Sequence, residues 1–144
     1  QVTGVQTCAL PILSVAENLF IGREPRKFGF IDWHTMNKKA TELLKSLDID
    51  ARATDKLEEC SLAKQQMIAI ARAVDMKCQV LILDEPFNAM DKASMEEVHD
   101  LLQKFKSQGK IIILASHSAA DIQKACDVVY EMENGELTLA SQKA

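Results

Sequence analysis

The spacing of apolar residues predicts helices in the first part of the chain. Ser14 and Glu17 have the spacing of a capping box, and apolar residues that could form one side of a short helix follow them. Residues 32–47 carry apolar side chains at helical spacing with polar ones between them. Ser61 is placed to cap a further helix that ends near Asp75. The segments between these helices are polar and are predicted to be loops: 22–29 and 48–59.

Beyond that point, short apolar runs alternate with helical patterns. The runs at residues 80–83 and 111–115 are typical of strands covered on both faces of a sheet. Helices are predicted from Asp91 to a stop at Gly109 and from Ser118 onward. The predicted C-terminal elements are a strand at 128–132, an Asn134-Gly135 turn and a strand at 136–139. This alternation predicts an α/β fold with a mainly parallel sheet and an antiparallel hairpin at its edge.

The first twelve residues follow neither pattern. Val2 to Ile12 resembles the conceptual translation of a common sequencing-library adapter, so we expect residues 1–12 not to belong to the natural protein. The alternative is a genuine first strand and loop. We therefore divide the chain into residues 1–12, a helical part at 13–62 and an α/β part at 63–144, and we expect further natural sequence upstream.

Composition excludes several function classes. The 144 residues could form one compact domain, and 17 Lys and Arg against 21 Asp and Glu give a net charge of −4 with no basic run. Sequence-independent nucleic-acid binding is therefore not expected. No apolar run approaches the roughly 20 residues that span a bilayer. The four cysteines are widely spaced, which favours a reduced protein over a disulfide scaffold or zinc site.

Candidate chemistry lies where two predicted strands end. Asp84 and Glu85 follow the first apolar run, and Ser116 and His117 follow the second. Ligands of open α/β sheets bind outside the carboxyl ends of the strands, so neighbouring strands would direct an acid pair and an imidazole to one crevice. Taken singly, such an acid pair is usually a solvated loop start, and such a histidine a cap or core residue. The sequence contains no glycine-rich phosphate loop.

Four motifs in order resemble those of the ATP-binding cassette (ABC) transporter ATPases. Residues 80–86, Val-Leu-Ile-Leu-Asp-Glu-Pro, resemble the Walker B segment, and residues 88–91, Asn-Ala-Met-Asp, resemble the D-loop. Residues 113–117, Ile-Leu-Ala-Ser-His, resemble the switch-histidine strand, and residues 60–66 occupy the place of the Leu-Ser-Gly-Gly-Gln signature. The resemblance covers essentially residues 13–144. It implies a partial P-loop NTPase fold that lacks the Walker A loop.

The resemblance also implies roles for the residues at the strand ends. Asp84 would position Mg²⁺, and Glu85 would be the general base for the attacking water. His117 would lie near the γ-phosphate of ATP, and Asp91 would contact a second nucleotide-binding domain.

The signature segment is expected to bind the nucleotide held by that second domain. The residues concerned are Ser61, Leu62, Ala63, Lys64 and Gln65. They stand at a predicted helix start, where free backbone N–H groups favour an anion. Ala63 replaces the signature's second glycine and Lys64 its glutamine, so the segment departs from the family pattern where phosphate would approach the backbone.

Two kinds of transporter resemble different parts of the chain. Residues 13–24, 31–33 and 65–73 are similar to monosaccharide importer ATPases of the ribose and galactofuranose type, which carry two cassettes in one chain. Residues 88–92, 115–122 and 126–132 are closer to exporters of peptide antibiotics and lantibiotics. A misjoined sequence with its junction near residues 84–87 would explain the difference, and the identity of the second half stays open.

We therefore expect a fragment of an ABC transporter ATPase that couples ATP hydrolysis to import of a solute, with monosaccharide as the favoured class. The implied partners are the second nucleotide-binding domain, transmembrane permease subunits and a solute-binding protein. The location implied for this chain is the cytoplasmic face of the cell membrane. The alternatives are an antibiotic exporter, a non-catalytic truncated module, and a translation or repair ATPase. Without a Walker A loop, the chain alone is expected to bind ATP poorly and to be inactive.

Overall fold

The computed structural model describes residues 10–143 and contains the helices and strands in the predicted order. The expectation that residues 1–12 are foreign to the protein concerns mainly residues 1–9, which lie outside the described residues. The elements are α1 (Val15–Phe20), β1 (Arg26–Lys27), β2 (Phe30–Ile31), α2 (Trp33–Ser46), a 3-10 helix (Leu57–Glu59), α3 (Leu62–Asp75), β3 (Val80–Asp84), α4 (Lys92–Ser107), β4 (Ile111–Ala115), α5 (Ala119–Ala125), β5 (Val128–Glu133) and β6 (Glu136–Gln142).

Helix α3 is the centre of the packing, because it contacts α1, α2 and α4. The predicted caps are present: Ser14 and Glu17 form the capping box of α1, and Asp32 and Ser61 cap α2 and α3. The apolar stripes predicted for these helices supply most of the buried core. Their fully buried members are Val15, Leu19, Met36, Ala40, Leu44, Ile70 and Ala71.

Strands β3 and β4 pair in parallel, which confirms the predicted neighbours. The register runs from Val80 opposite Ile111 to Asp84 opposite Ala115. Leu81 and Leu83 are buried on one face of this sheet, whereas Ile111 and Ile113 on the other face are 61% and 50% exposed. The prediction that both faces are covered is therefore wrong for residues 10–143. An unbroken apolar run shows that both faces are apolar, but it does not show that the same chain covers both.

The C-terminal hairpin forms as predicted around Asn134-Gly135, whose positive φ values of 52° and 84° suit a tight hairpin turn. Among the described residues, however, β5 and β6 pair only with each other, so the hairpin does not extend the β3–β4 sheet as predicted. The helix after β4 carries the chain away from the sheet, and its length does not fix where the next strand lies. The sequence pattern therefore does not determine whether the hairpin joins the β3–β4 sheet.

The predicted loop at residues 22–29 contains part of a second small hairpin. Strands β1 and β2 pair antiparallel around Phe28 and Gly29, which have φ values of 52° and 87°. Asn-Gly or Asp-Gly usually marks such a two-residue turn. A phenylalanine in the left-handed region gives no such signal, so the sequence did not predict this hairpin.

Candidate functional site

The carboxyl ends of β3 and β4 bring the predicted site residues of both strands to one place. Asp84 lies opposite Ala115 in the last pair of the ladder, and the backbone N–H of Glu85 donates to the Ala115 carbonyl at 2.9 Å. This bond extends the pairing by one residue. Glu85 therefore leaves the sheet at the same end as Ser116 and His117.

Glu85 and His117 are in direct contact. Glu85 Oε1 accepts the backbone N–H of His117 at 3.0 Å and lies 2.8 Å from His117 Nδ1. Glu85 Oε2 accepts the Ser116 hydroxyl at 3.1 Å. A carboxylate can only accept hydrogen bonds, so Nδ1 carries the ring hydrogen in this contact. The Glu85 side chain is 34% exposed and that of His117 is 78% exposed, so both remain accessible from solvent.

The contact shifts the protonation of both groups. The hydrogen bond from His117 holds the pKa of Glu85 below its ordinary value, with further contributions from the His117 backbone N–H and the Ser116 hydroxyl. The same hydrogen bond, together with the charge of Glu85, raises the pKa of His117. The arrangement therefore favours a carboxylate paired with an imidazolium.

The backbone at Glu85 is strained. Its φ of 47° lies in the left-handed region, which is costly for a residue with a side chain. The next two residues, Pro86 and Phe87, are buried and anchor the turn. A turn hydrogen bond from the Asn88 N–H to the Glu85 carbonyl at 3.2 Å then redirects the chain. Strain of this kind persists where the surrounding structure imposes it, and it clusters at functional sites.

Asp91 lies at the end of this turn, where it caps α4. Its side chain accepts the backbone N–H of Ser94 at 3.3 Å, and the contact with Ser94 lowers the pKa of Asp91. The carboxylate is exposed, so one oxygen stays available for a further contact.

Asp84 is the candidate metal ligand. It is exposed and its side chain makes no hydrogen bond or ion pair within residues 10–143, and no group of three or more His, Cys, Asp or Glu residues there could hold a metal ion. Mg²⁺ is commonly held by one or two carboxylates together with water and substrate phosphates. A single free carboxylate at a strand end fits that mode and does not fit a site built from protein ligands alone.

The signature segment lies at the start of α3. Ser61 accepts the backbone N–H of Lys64 at 3.3 Å, Lys64 Nζ lies 3.2 Å from Asp50 Oδ2, and Gln65 donates to the Cys60 carbonyl at 3.1 Å. Leu62 is 48% exposed, whereas Ala63 is buried. The methyl group that replaces a glycine hydrogen therefore points into the core.

No hydrogen bond within residues 10–143 joins this segment to Glu85 or His117. The structure thus brings the residues of the two strand ends together, and it holds the signature segment as a separate group.

Two features were missed at the sequence level. Ser116 was placed at a strand end but given no role, although its hydroxyl contacts Glu85. Asn18 is buried and bonds to the backbone of residues 10–14. Its position between Glu17 and the apolar residues Leu19 and Phe20 gave no signal of burial.

Comparison with known proteins identifies relatives over most of the chain. The sequence model of the ABC transporter family matches residues 1–88. The galactofuranose transporter ATP-binding protein YtfR of Escherichia coli is 39% identical over 126 residues, which are 88% of this chain and 25% of that protein. The ribose import ATP-binding protein RbsA of Jannaschia sp. (strain CCS1) is 37% identical over 132 residues, which are 91% of this chain and 26% of that protein. The chain thus spans about a quarter of these relatives.

Solved structures show the same fold. An ATP-binding cassette of an ABC transporter in its ADP conformation superposes with a TM-score of 0.73 at 21% identity, over 90% of this chain and 55% of that one. A dimeric ATP-binding cassette bound to ADP and Pi gives a TM-score of 0.72 at 24% identity, over 96% of this chain and 61% of that one. These matches confirm the α/β class and the partial P-loop NTPase fold. The family match covers more than half of the chain, so this chain belongs to the ABC transporter ATPase family.

Proposed function

We propose that this chain is part of an ATP-hydrolysing subunit that drives the import of a monosaccharide. The observation that carries the proposal is the contact between Glu85 and His117 at the ends of two parallel strands, next to the free carboxylate of Asp84. The galactofuranose transporter and ribose import relatives support the substrate class. The ribose-importer match covers 91% of the chain, so it runs across residues 84–87, where the resemblance to exporters begins.

Phosphoryl transfer is catalysed mainly by positioning and electrostatics. In the proposed reaction Glu85 orients the attacking water and accepts its proton. The carboxylate form needed for this is the form that the hydrogen bond from His117 favours by lowering the pKa of Glu85. His117 holds that carboxylate and presents its exposed ring toward the γ-phosphate. Mg²⁺, when bound, would neutralise charge on the phosphates, and Asp84 is the residue that would hold it.

The proposed partners use other surfaces. The signature segment, residues 61–65, and Asp91 would contact a second nucleotide-binding domain. Exposed aromatic side chains on the helical part favour a protein partner there, and we assign that surface to permease subunits at the cytoplasmic face of the membrane. They are Phe28, Phe30 and Trp33, which are 90%, 80% and 50% exposed. A solute-binding protein would deliver the sugar. No helix of residues 10–143 is both long and apolar enough to cross a bilayer.

The test is a hybrid protein in which residues 13–144 replace the matching segment of the Escherichia coli galactofuranose transporter ATP-binding protein. We expect magnesium-dependent ATP hydrolysis, and we expect Glu85→Gln to reduce turnover at least about a hundredfold, as removal of a general base does. A matched control is Glu97→Gln, an exposed glutamate of α4. Near-normal turnover in Glu85→Gln would refute the role of Glu85.

A further inference from the structure

We propose that Ser116 is a positioning residue that fixes the orientation of the Glu85 carboxylate and so directs Oε2, the oxygen that His117 leaves free, toward the proton of water. This inference rests on the proposed function of Glu85. It concerns a residue for which neither the motifs nor the relatives suggest a role.

The direction of the hydrogen bonds around Ser116 is unambiguous. The backbone N–H of Ser118 donates to Ser116 Oγ at 3.1 Å. The single hydroxyl hydrogen of Ser116 is donated to Glu85 Oε2 at 3.1 Å, because a carboxylate can only accept. Consecutive hydrogen bonds polarise one another, so the first bond strengthens the second. Ser118 is also the cap of α5 and accepts the Asp121 N–H at 3.5 Å. The start of α5 is therefore linked to Glu85 through one hydroxyl group.

The two carboxylate oxygens of Glu85 are occupied unequally. Each oxygen can accept about two hydrogen bonds. Oε1 already has two donors, the backbone N–H and the ring Nδ1 of His117. Oε2 has one donor, the Ser116 hydroxyl, and keeps one acceptor position. Oε2 is therefore the oxygen that remains free to accept from water, and the Ser116 hydroxyl fixes its direction.

Without the hydroxyl, the His117 contacts hold only Oε1. Rotation about the Cγ–Cδ bond moves both oxygens, so without the hydroxyl it is opposed by the two His117 contacts alone and Oε2 is held less firmly. The His117 ring would also be held less firmly, because the same carboxylate orients it.

The first experiment measures the His117 ring by nitrogen-15 NMR in the 144-residue chain, at a pH above the pKa of His117. The neutral ring is expected to carry its hydrogen on Nδ1, as the contact with Glu85 requires. Ser116→Ala should lower the ratio of the Nδ1–H to the Nε2–H form about tenfold, toward the value in Glu85→Ala. Ser116→Thr keeps the hydroxyl and should restore the ratio.

The matched control is Ser107→Ala, which removes an exposed hydroxyl that bonds only to the Lys104 carbonyl at 2.7 Å and should leave the ratio unchanged. If Ser116 only caps the local backbone, Ser116→Ala will loosen α5 and leave the ring form as it was. That result overturns the proposal.

The second experiment measures ATP hydrolysis in the hybrid protein described above. Ser116→Ala should lower kcat about tenfold, equivalent to about 1.4 kcal/mol, while KM for ATP changes less than about twofold and Ser116→Thr recovers most of the rate. If Glu85→Gln abolishes turnover and Ser116→Ala does not change it, the inference on Ser116 fails and the proposed function stands. If Glu85→Gln retains turnover, the proposed function fails, and the NMR result still decides whether Ser116 orients the carboxylate.

Discussion

Replacing Asn18 by alanine is expected to destabilise the fold by about 2–3 kcal/mol. Asn18 is only 4% exposed, and its side chain is the polar link between α1 and the segment that precedes it. Oδ1 accepts the Leu10 N–H at 2.9 Å, and Nδ2 lies 3.1, 3.3 and 3.0 Å from the carbonyls of Leu10, Leu13 and Ser14. Nδ2 has two hydrogens, so about three bonds are lost, at about 1 kcal/mol each. The better helix propensity of alanine returns up to about 0.7 kcal/mol.

Asn18→Asp is a sharper version of the same test. Aspartate has nearly the same shape, but it places a second acceptor oxygen against the three carbonyls that surround Nδ2. The buried carboxylate would keep the Leu10 N–H as its one donor and face three acceptors, which costs more than lost hydrogen bonds, so this variant should be less stable than Asn18→Ala.

The assay is urea denaturation followed by circular dichroism, with the free energy of unfolding taken from the linear dependence on urea. Asn37→Ala on α2 is the matched control, because the Asn37 side chain makes no hydrogen bond within residues 10–143. It should not lower stability, and the better helix propensity of alanine should raise it by up to about 0.7 kcal/mol. A cost below about 0.5 kcal/mol for Asn18→Ala, or equal stability of the alanine and aspartate variants, would refute the argument.

Three further predictions concern other parts of the molecule. The Glu85–His117 pair should stabilise the fold most between pH 4.5 and 6.5, the ordinary pKa values of the two groups: its contribution is lost as pH falls through the lowered pKa of Glu85 and as pH rises through the raised pKa of His117. NMR titration of Glu85→Gln should return the His117 pKa toward 6.5, and an unchanged value would contradict the pairing. Asp91→Ala should cost about 1 kcal/mol in urea denaturation because α4 loses its cap, whereas no loss would mean that the cap is not formed in solution. Ile113→Thr, on the open sheet face, should reduce self-association in light scattering without lowering stability, whereas Leu83→Thr on the buried face should unfold the sheet; equal effects would contradict the assignment of faces.

The helices were predictable because their signals are local. A capping residue, an apolar stripe and a stop residue all lie within one helix, so the starts at Ser14, Asp32, Ser61 and Asp91 were found from the sequence. The parallel pairing of β3 and β4 was also predictable from the sequence, because two apolar runs joined by one helix usually form neighbouring parallel strands.

The remaining features depend on contacts between distant residues. Burial of Asn18 results from its bonds to residues 10–14, and polar residues are usually expected at the surface. The exposure of Ile111 and Ile113 depends on which chain lies against them, which their own pattern does not contain. At the site, the ends of the two strands predicted that Glu85 and His117 could meet. The hydrogen bond from Ser116 to Glu85 depends on side-chain conformations that the sequence pattern does not contain. The roles proposed for Glu85, His117, Asp84, Asp91 and residues 61–65 all stay predictions.

At Glu85 the role proposed in catalysis and the stability of the backbone favour different residues. Glycine would adopt φ of 47° without steric cost, so Glu85→Gly should relieve strain of about 1 kcal/mol even as it removes the carboxylate. In a gene copy no longer selected for ATP turnover, replacement of Glu85 by glycine would therefore not be opposed by a loss of backbone stability. Under the proposed function, selection for hydrolysis is what would keep glutamate in this backbone conformation.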